Sequence, residues 1–342
     1  MSAMRAARPQ HLARLSTLAL LLVNGAGFAQ AQTRNEALPR AKAAMVEFEN
    51  SPFPYRGDIP DKNVPFLDAV DGDRHGHTSP RGGVYWEEKT YSDRHVLLAI
   101  PRGFDPRKPS LIVLYFHGNS AKLGRDVRDR QQLPRQVAES GLNAVLVAPQ
   151  LALDAHDSSS GRFWEPGFFA RFLDEAAEKL AALYGRDDAR TVFANAPVVM
   201  VAYSGGYQPA AWSIYGGGAS ARVRGMILLD ALYAETDKFA AWLAAKPAAF
   251  FVSAYTRFTR GENDALQKTL GEQKLDFKTS LPPKLADGSI AFISNGDDVV
   301  HDDFVTQAWI PDPVKAMLAR VPGFSKFAPL PKAVPLPPPR PQ

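Results

Sequence analysis

Several short runs in this chain are apolar at every position: Leu111–Phe116 (LIVLYF), Ala144–Ala148 (AVLVA) and Val198–Ala202 (VVMVA). A strand with one wet face alternates apolar and polar residues. A strand apolar throughout is covered on both faces, the situation of a parallel sheet between two layers of helices. Val223–Leu229, Ala248–Ser253 and Ile290–Ser294 continue the series. None of these runs approaches the roughly 18 apolar residues of a membrane-spanning helix.

Helical patterns fall between them. In Phe168–Tyr184 the residues Phe169, Leu173, Ala176, Leu180 and Leu183 recur at three and four, with Pro166 suited to a first turn and Gly185 to a stop. Val127–Ser140 reads as helix whose regular part starts at Pro134, and Pro209–Tyr215 and Lys238–Ala245 as two more. Strand alternating with helix predicts an α/β fold with about eight strands in a mostly parallel sheet. Val84–Tyr91 and His95–Ile100 are expected to pair antiparallel across a turn at Ser92-Asp93. Residues 32–83, rich in Pro, Asp and Arg, show no period and read as an irregular wrap before a domain spanning 84–321. Residues 256–288 read as a small polar lid.

The chain ends differ from this body. Arg5, Arg8 and Arg14 precede an apolar stretch, Leu15 to Val23, and then Ala29-Gln30-Ala31. Positive start, short apolar middle and small-residue exit describe a secretory signal peptide at 1–31, cleaved after Ala31, which implies a periplasmic or secreted protein. Those three arginines belong to the 40 Lys and Arg of the chain, and none of its 36 acids lies there, so 37 bases face 36 acids afterwards. That balance carries no nucleic-acid footprint. With no cysteine, the expected exported protein depends on its core and not on disulfides. Residues 322–342 close in a proline-rich run that cannot form ladders and reads as an extended tail.

Ligands of open parallel sheets sit at the carboxyl ends of the strands. After LIVLYF comes His117-Gly118-Asn119-Ser120; after VVMVA, Tyr203-Ser204-Gly205-Gly206; after GMILL, Asp230; and a few residues beyond IAFIS, His301. Ala202-Tyr203-Ser204-Gly205-Gly206 resembles the G-x-S-x-G nucleophile elbow of α/β-hydrolases, with Ala for the first Gly. The elbow takes small residues because its serine sits on a sharp, strained strand-to-helix turn. The resemblance, over about residues 84–310, implies an α/β-hydrolase fold and a serine hydrolase that needs no metal or organic cofactor. The chain order Ser, acid, His is the order of such enzymes. His301 is the only histidine after Ser204, so it is the expected base.

For the acid, the family favours the strand after next, and sometimes the very next strand. No acid follows Ala248–Ser253 before Glu262, whereas Asp230 directly ends the next strand. Asp230 is therefore the expected acid. Asn295-Gly296-Asp297-Asp298-Val299 resembles the G-x-D-x-V turn that often carries it, which keeps Asp298 as the alternative; an acid three residues before its own histidine is awkwardly placed. The HGN turn resembles an oxyanion turn. The N–H groups of Asn119 and Gly205 are implied as its donors, with His117 structural beneath them. Tyr203 and, after the fourth strand, Phe163 and Trp164 are candidate pocket residues, the alternative for Phe163 and Trp164 being ordinary packing. His75-Gly76-His77 beside Asp71 and Asp73 reads as a solvated loop and not a metal site, and the acids 297, 298, 302 and 303 match no calcium loop.

The expected function is an exported serine hydrolase acting on a small-molecule or polymer ester, less readily an amide, through an acyl-enzyme on Ser204. Pro101-Arg102-Gly103-Phe104 between strands, followed by HGN, is similar to secreted esterases of the feruloyl, acetylxylan and polyhydroxybutyrate depolymerase type. The competing expectations are an inactive hydrolase-fold binding module of the cell envelope and a peptidase. Neither the substrate nor the oligomeric state is legible in the sequence.

Overall fold

A computed structural model describes residues 41–296 and 298–326; the expected signal peptide, the tail beyond Lys326 and Asp297 lie outside the described residues. Eight strands form one sheet: β1 (Lys42–Glu47), β2 (His95–Ile100), β3 (Leu111–Phe116), β4 (Ala144–Pro149), β5 (Val198–Tyr203), β6 (Val223–Leu229), β7 (Phe250–Tyr255) and β8 (Ile290–Ser294). Their spatial order is β1-β2-β4-β3-β5-β6-β7-β8. Only β2 runs against its neighbours; the pairs from β4 through β8 are all parallel. The alternation of runs and helices implied a mostly parallel α/β sheet, and this order and polarity are the α/β-hydrolase fold that the resemblance implied.

Alternate residues of each strand feed two cores, because successive side chains point to opposite faces. Ile112, Leu114 and Phe116 join a cluster with the helices α2 (Phe168–Tyr184), α3 (Ala189–Asn195), α4 (Tyr207–Tyr215), α5 (Thr236–Ala245) and α6 (Arg260–Glu272). Leu111, Val113 and Tyr115 join the opposite cluster with α1 (Leu133–Glu139) and α7 (Pro313–Leu318). β3, β4 and β5 are buried at every position, which is why their sequences show no alternation. The expected helix Val127–Ser140 is two pieces: a π-helical stretch Leu123–Arg130, then α1, with the break at Gln132, whose φ is +51°.

The first part of the chain departs most from expectation. Lys42–Glu47 is not irregular; it is the edge strand of the sheet, pairing Lys42 with Ile100 through Glu47 with His95. Its polar ends and two alanines hid it, since an edge strand has less to bury. Val84–Tyr91 does not pair with β2. Val84–Trp86 pairs with Arg74–Thr78, which pairs with Ala69–Asp71 in a separate three-stranded sheet, and Glu87–Thr90 is a helical turn. β2 already has β1 and β4 as partners, so no ladder remained for it. His77 is buried against Phe66, ring centroids 4.4 Å apart, and is not solvated. It belongs to an aromatic cluster of Phe53, Tyr55, Phe66, Tyr91, Trp164 and Trp212 that fastens this segment to the main body.

The stretch 256–288 is not a lid. Its helix α6 sinks Leu266 and Leu270 into the core and is a covering helix of the sheet.

Candidate active site

Ser204 stands at the turn from β5 into α4 with φ +51°, in the left-handed region that non-glycine residues rarely enter. Such strain persists where surroundings over-determine it, and three glycines show how close those surroundings are. A Cβ on Gly118 would lie 2.8 Å from the Ser204 Cβ, one on Gly206 would overlap the Phe116 carbonyl oxygen, and one on Gly205 would overlap Asn119 Oδ1. The small residues of this elbow are therefore required by contact. Ala202, in place of the first glycine of the motif, is fully buried within β5.

His301 begins a short 3-10 turn after β8. Its Nε2 lies 2.9 Å from Ser204 Oγ and its Nδ1 2.7 Å from Asp230 Oδ2. The Tyr203 ring stacks on the imidazole at 5.1 Å between centroids. The Tyr203 hydroxyl donates to the His301 carbonyl (3.2 Å) and to Asp302 Oδ1 (3.3 Å), tying down the turn that carries the imidazole. Burial, helped by the neighbouring Asp302, pushes the Tyr203 phenol well above its ordinary pKa, so it stays a donor.

Asp230 ends β6, is fully buried and has φ +43°. Besides His301, its carboxylate accepts from Thr256 N–H (3.0 Å), Thr256 Oγ1 (3.0 Å to Oδ2) and Thr259 Oγ1 (2.7 Å). Burial alone would favour the neutral acid. The hydrogen bonds from His301, Thr256 and Thr259 outweigh it and hold the pKa below the usual carboxylate value. An ionised Asp230 accepts from Nδ1–H, which leaves Nε2 of a neutral His301 free to accept from the Ser204 hydroxyl.

The structure thus brings Ser204, His301 and Asp230 together. It does not bring Asp298 to them: Asp298 is exposed, on the turn beyond β8, with its carboxylate at Gly296. Asn119 lines the cleft beside Ser204, its Oδ1 accepting from Ser158 Oγ at 3.1 Å, and Gly205 follows the serine directly. The Ser120 N–H is engaged by the Ala155 carbonyl at 2.8 Å. His117 lies beneath this turn, fully enclosed. Its Nδ1 donates to the Gly118 carbonyl (2.7 Å) and its Nε2 accepts from Leu151 N–H and Gln150 Nε2 (2.9 Å each), which fixes one neutral tautomer. Burial lowers its pKa to about 4.

The cleft at Ser204 encloses about 550 Å³ and is bordered by Arg81, His156, Tyr203, Tyr233, Phe258 and Asp302 as well as the groups above. Phe163 and Trp164 are not part of it. Gly161, at φ +57°, turns the chain back against Pro52, so Phe163 sinks between Phe116 and Phe168 and Trp164 joins the aromatic cluster. Packing is their role. Sequence reasoning missed Thr256 and Thr259, whose signal was a pair of hydroxyls just past β7. It also missed Tyr233 and Phe258, which lie three and two residues beyond Asp230 and Thr256 on the same sheet edge.

Among the described residues no helix is long and apolar enough to cross a membrane. No protein-family model and no curated protein matches the chain. Solved structures do align with it. The feruloyl esterase module from Clostridium thermocellum complexed with sinapinate is 12% identical, covering 81% of this chain and 96% of that one, with a TM-score of 0.43. An S-formylglutathione hydrolase from Agrobacterium tumefaciens is 10% identical over 69% of this chain and 92% of its own, TM-score 0.42. A dienelactone hydrolase-like promiscuous phosphotriesterase from metagenomic libraries is 10% identical over 80% and 90%, TM-score 0.40. The activities named are those of the matched proteins.

Proposed function

We propose that this protein is an exported serine hydrolase that cleaves a carboxylic ester through an acyl-enzyme on Ser204. One observation carries the reading: the unbroken hydrogen-bond chain from Ser204 Oγ through His301 to a buried Asp230, opening on a cleft. His301 Nε2 takes the hydroxyl proton as Ser204 Oγ bonds to the ester carbonyl carbon. The negative charge that develops on the carbonyl oxygen falls to the N–H groups of Gly205 and Asn119; one such donor is worth about 3–4 kcal/mol of barrier. The tetrahedral intermediate collapses, the bond to the alcohol breaks, and the imidazolium returns its proton to the departing alkoxide. Water then repeats the sequence against the acyl-enzyme and releases the acid. Asp230, already ionised, holds the Nδ1–H tautomer and offsets the imidazolium charge; it does not itself take the proton. No organic cofactor or metal enters this scheme.

Export rests on residues 1–31, with cleavage after Ala31; the tail expected from 322 does not begin there, since Phe324 packs on the core and the Phe324 carbonyl and Lys326 N–H bond to the Asn143 and Gly141 backbone. Hydrolysis of phenyl acetate by the purified mature chain, beside Ser204→Ala and His301→Ala, tests the catalytic reading. Turnover by the wild type that falls by about 10⁴-fold or more in both variants is expected. A folded wild type that leaves phenyl acetate and a peptide anilide untouched would instead favour the binding-module alternative.

A further inference from the structure

Arg81 sits at the tip of the hairpin formed by Arg74–Thr78 and Val84–Trp86. The turn Ser79-Pro80-Arg81-Gly82-Gly83 is tightly closed. Ser79 N–H donates to the Gly83 carbonyl (3.0 Å), Gly82 N–H to the Ser79 carbonyl (2.9 Å), and Arg81 N–H to Ser79 Oγ (3.2 Å). Gly82 and Gly83 supply the φ of +95° and +88° that this closure needs. Two reciprocal bonds fasten the tip to the loop after β4. The Ser79 hydroxyl donates to the His156 carbonyl (2.7 Å), and His156 N–H donates to Tyr85 Oη (3.2 Å).

The guanidinium carbon of Arg81 lies 5.3 Å from the centroid of Tyr233, over its ring. Arg81 borders both the Ser204 cleft and an adjoining recess of about 100 Å³. Among the described residues it is the one Lys or Arg lining the cleft, and no carboxylate there forms an ion pair with it. The nearby acids are engaged elsewhere: Asp302 accepts from Tyr203, and Asp157, in the recess, accepts from Tyr91 (2.9 Å) and Ser159 (3.0 Å). A guanidinium set on an aromatic face offers its N–H fork to a planar anion, and a carboxylate matches that fork with two parallel bonds.

Resting on the hydrolase reading, we propose that Arg81 determines the substrate class: esters that carry a carboxylate, bound by Arg81 while the ester carbonyl sits on Ser204 and the body of the molecule lies along Tyr233 and Phe258. On this reading the N-terminal hairpin is part of the specificity apparatus, built to carry one cation to the nucleophile.

The test uses two matched pairs of esters: monomethyl terephthalate against methyl benzoate, with the charge on the acyl side, and 3-acetoxybenzoate against phenyl acetate, with the charge on the alcohol side. The readout is the ratio of kcat/KM, charged over neutral, in wild type, Arg81→Gln and Arg81→Lys. At least one pair should favour the charged ester in the wild type. In Arg81→Gln that ratio should fall about tenfold, mainly through KM, and Arg81→Lys, with charge but no fork, should keep an intermediate value. Ratios in Arg81→Gln within about threefold of wild type for both pairs overturn the proposal. A second readout needs no turnover: titration of Ser204→Ala with 4-carbamoylbenzoate, repeated with Arg81→Gln added. Binding weakened about tenfold by the second change supports the Arg81 site even if none of the four esters is hydrolysed, in which case the hydrolase reading fails alone. Equal binding by the two proteins counts against Arg81 even if the esters are hydrolysed.

Discussion

Two regions meet at the cleft, and they are built on different terms. The carboxyl edge of the central sheet carries Ser204, Asp230 and His301 on the ends of β5 and β6 and just past β8, with every position of β3, β4 and β5 buried behind them. The hairpin of residues 74–86 carries Arg81 on strands of five and three residues, anchored by a small aromatic cluster and two bonds to the His156 backbone. The sheet holds Ser204, His301 and Asp230 on or just past the ends of strands of its buried layer. On the proposed reading the hairpin places a group that has only to attract and orient. The contrast teaches that the proposed chemistry is tied to the buried sheet, and the proposed selection of substrate to an appended layer.

The sharpest way to break that division is at Asp230. Asp230→Asn keeps the shape but offers an amide where His301 Nδ1 needs an acceptor, so the imidazole loses its working tautomer. A loss of about 10³–10⁴-fold in kcat, with KM little changed, is expected from steady-state kinetics. By contrast, Asp298→Asn, on the exposed turn, should leave kcat within about twofold.

A second change separates the regions by stability. Phe66 is fully buried and touches Phe53, Tyr55, His77, Tyr91 and Trp164. Phe66→Ala should cost about 3–5 kcal/mol locally. Hydrogen exchange should then speed up in residues 52–91 and leave β3 to β7 protected; equal loosening of the sheet would show that the two regions are one cooperative unit.

The smallest effect is a slope. In the unfolded chain the His117 imidazole takes up a proton near pH 6.5, whereas burial in the fold keeps it neutral down to about 4. Between those values the unfolded state binds more protons, so stability falls as pH drops from 6.5 toward 4, by about 3 kcal/mol in all. Asp230, with its pKa lowered in the fold, adds to the loss once pH falls through the carboxylate range. His117→Gln is expected to be less stable at pH 7 and to show a flatter acid limb in denaturant melts at stepped pH.

How much of this was readable beforehand follows the same division. The sheet was legible because strands covered on both faces leave a continuous apolar signature, and the order of residues after those strands put Ser204, Asp230 and His301 at one edge. Asp230 could be preferred over Asp298 only by elimination, since the three bonds from Thr256 and Thr259 depend on where β7 ends beside β6. The N-terminal region was illegible because its order comes from tertiary contact: Lys42–Glu47 is an edge strand without a marked pattern, and the hairpin stands on rings far apart in sequence. Phe163 and Trp164 misled because position after a strand does not tell which way the chain turns; Gly161 and its contact with Pro52 send them inward. Arg81 had no sequence signal beyond a Pro-Arg-Gly-Gly turn, which marks a hairpin and not a site.

The most direct measurement is intact-mass and peptide mapping of the mature protein after exposure to a fluorophosphonate, beside Ser204→Ala and His301→Ala. One adduct on the peptide bearing Ser204, absent from Ser204→Ala and formed far more slowly in His301→Ala, is the expected result. A folded wild type that takes up no adduct, or takes it up on another serine, would contradict the assignment of Ser204 as a nucleophile activated by His301.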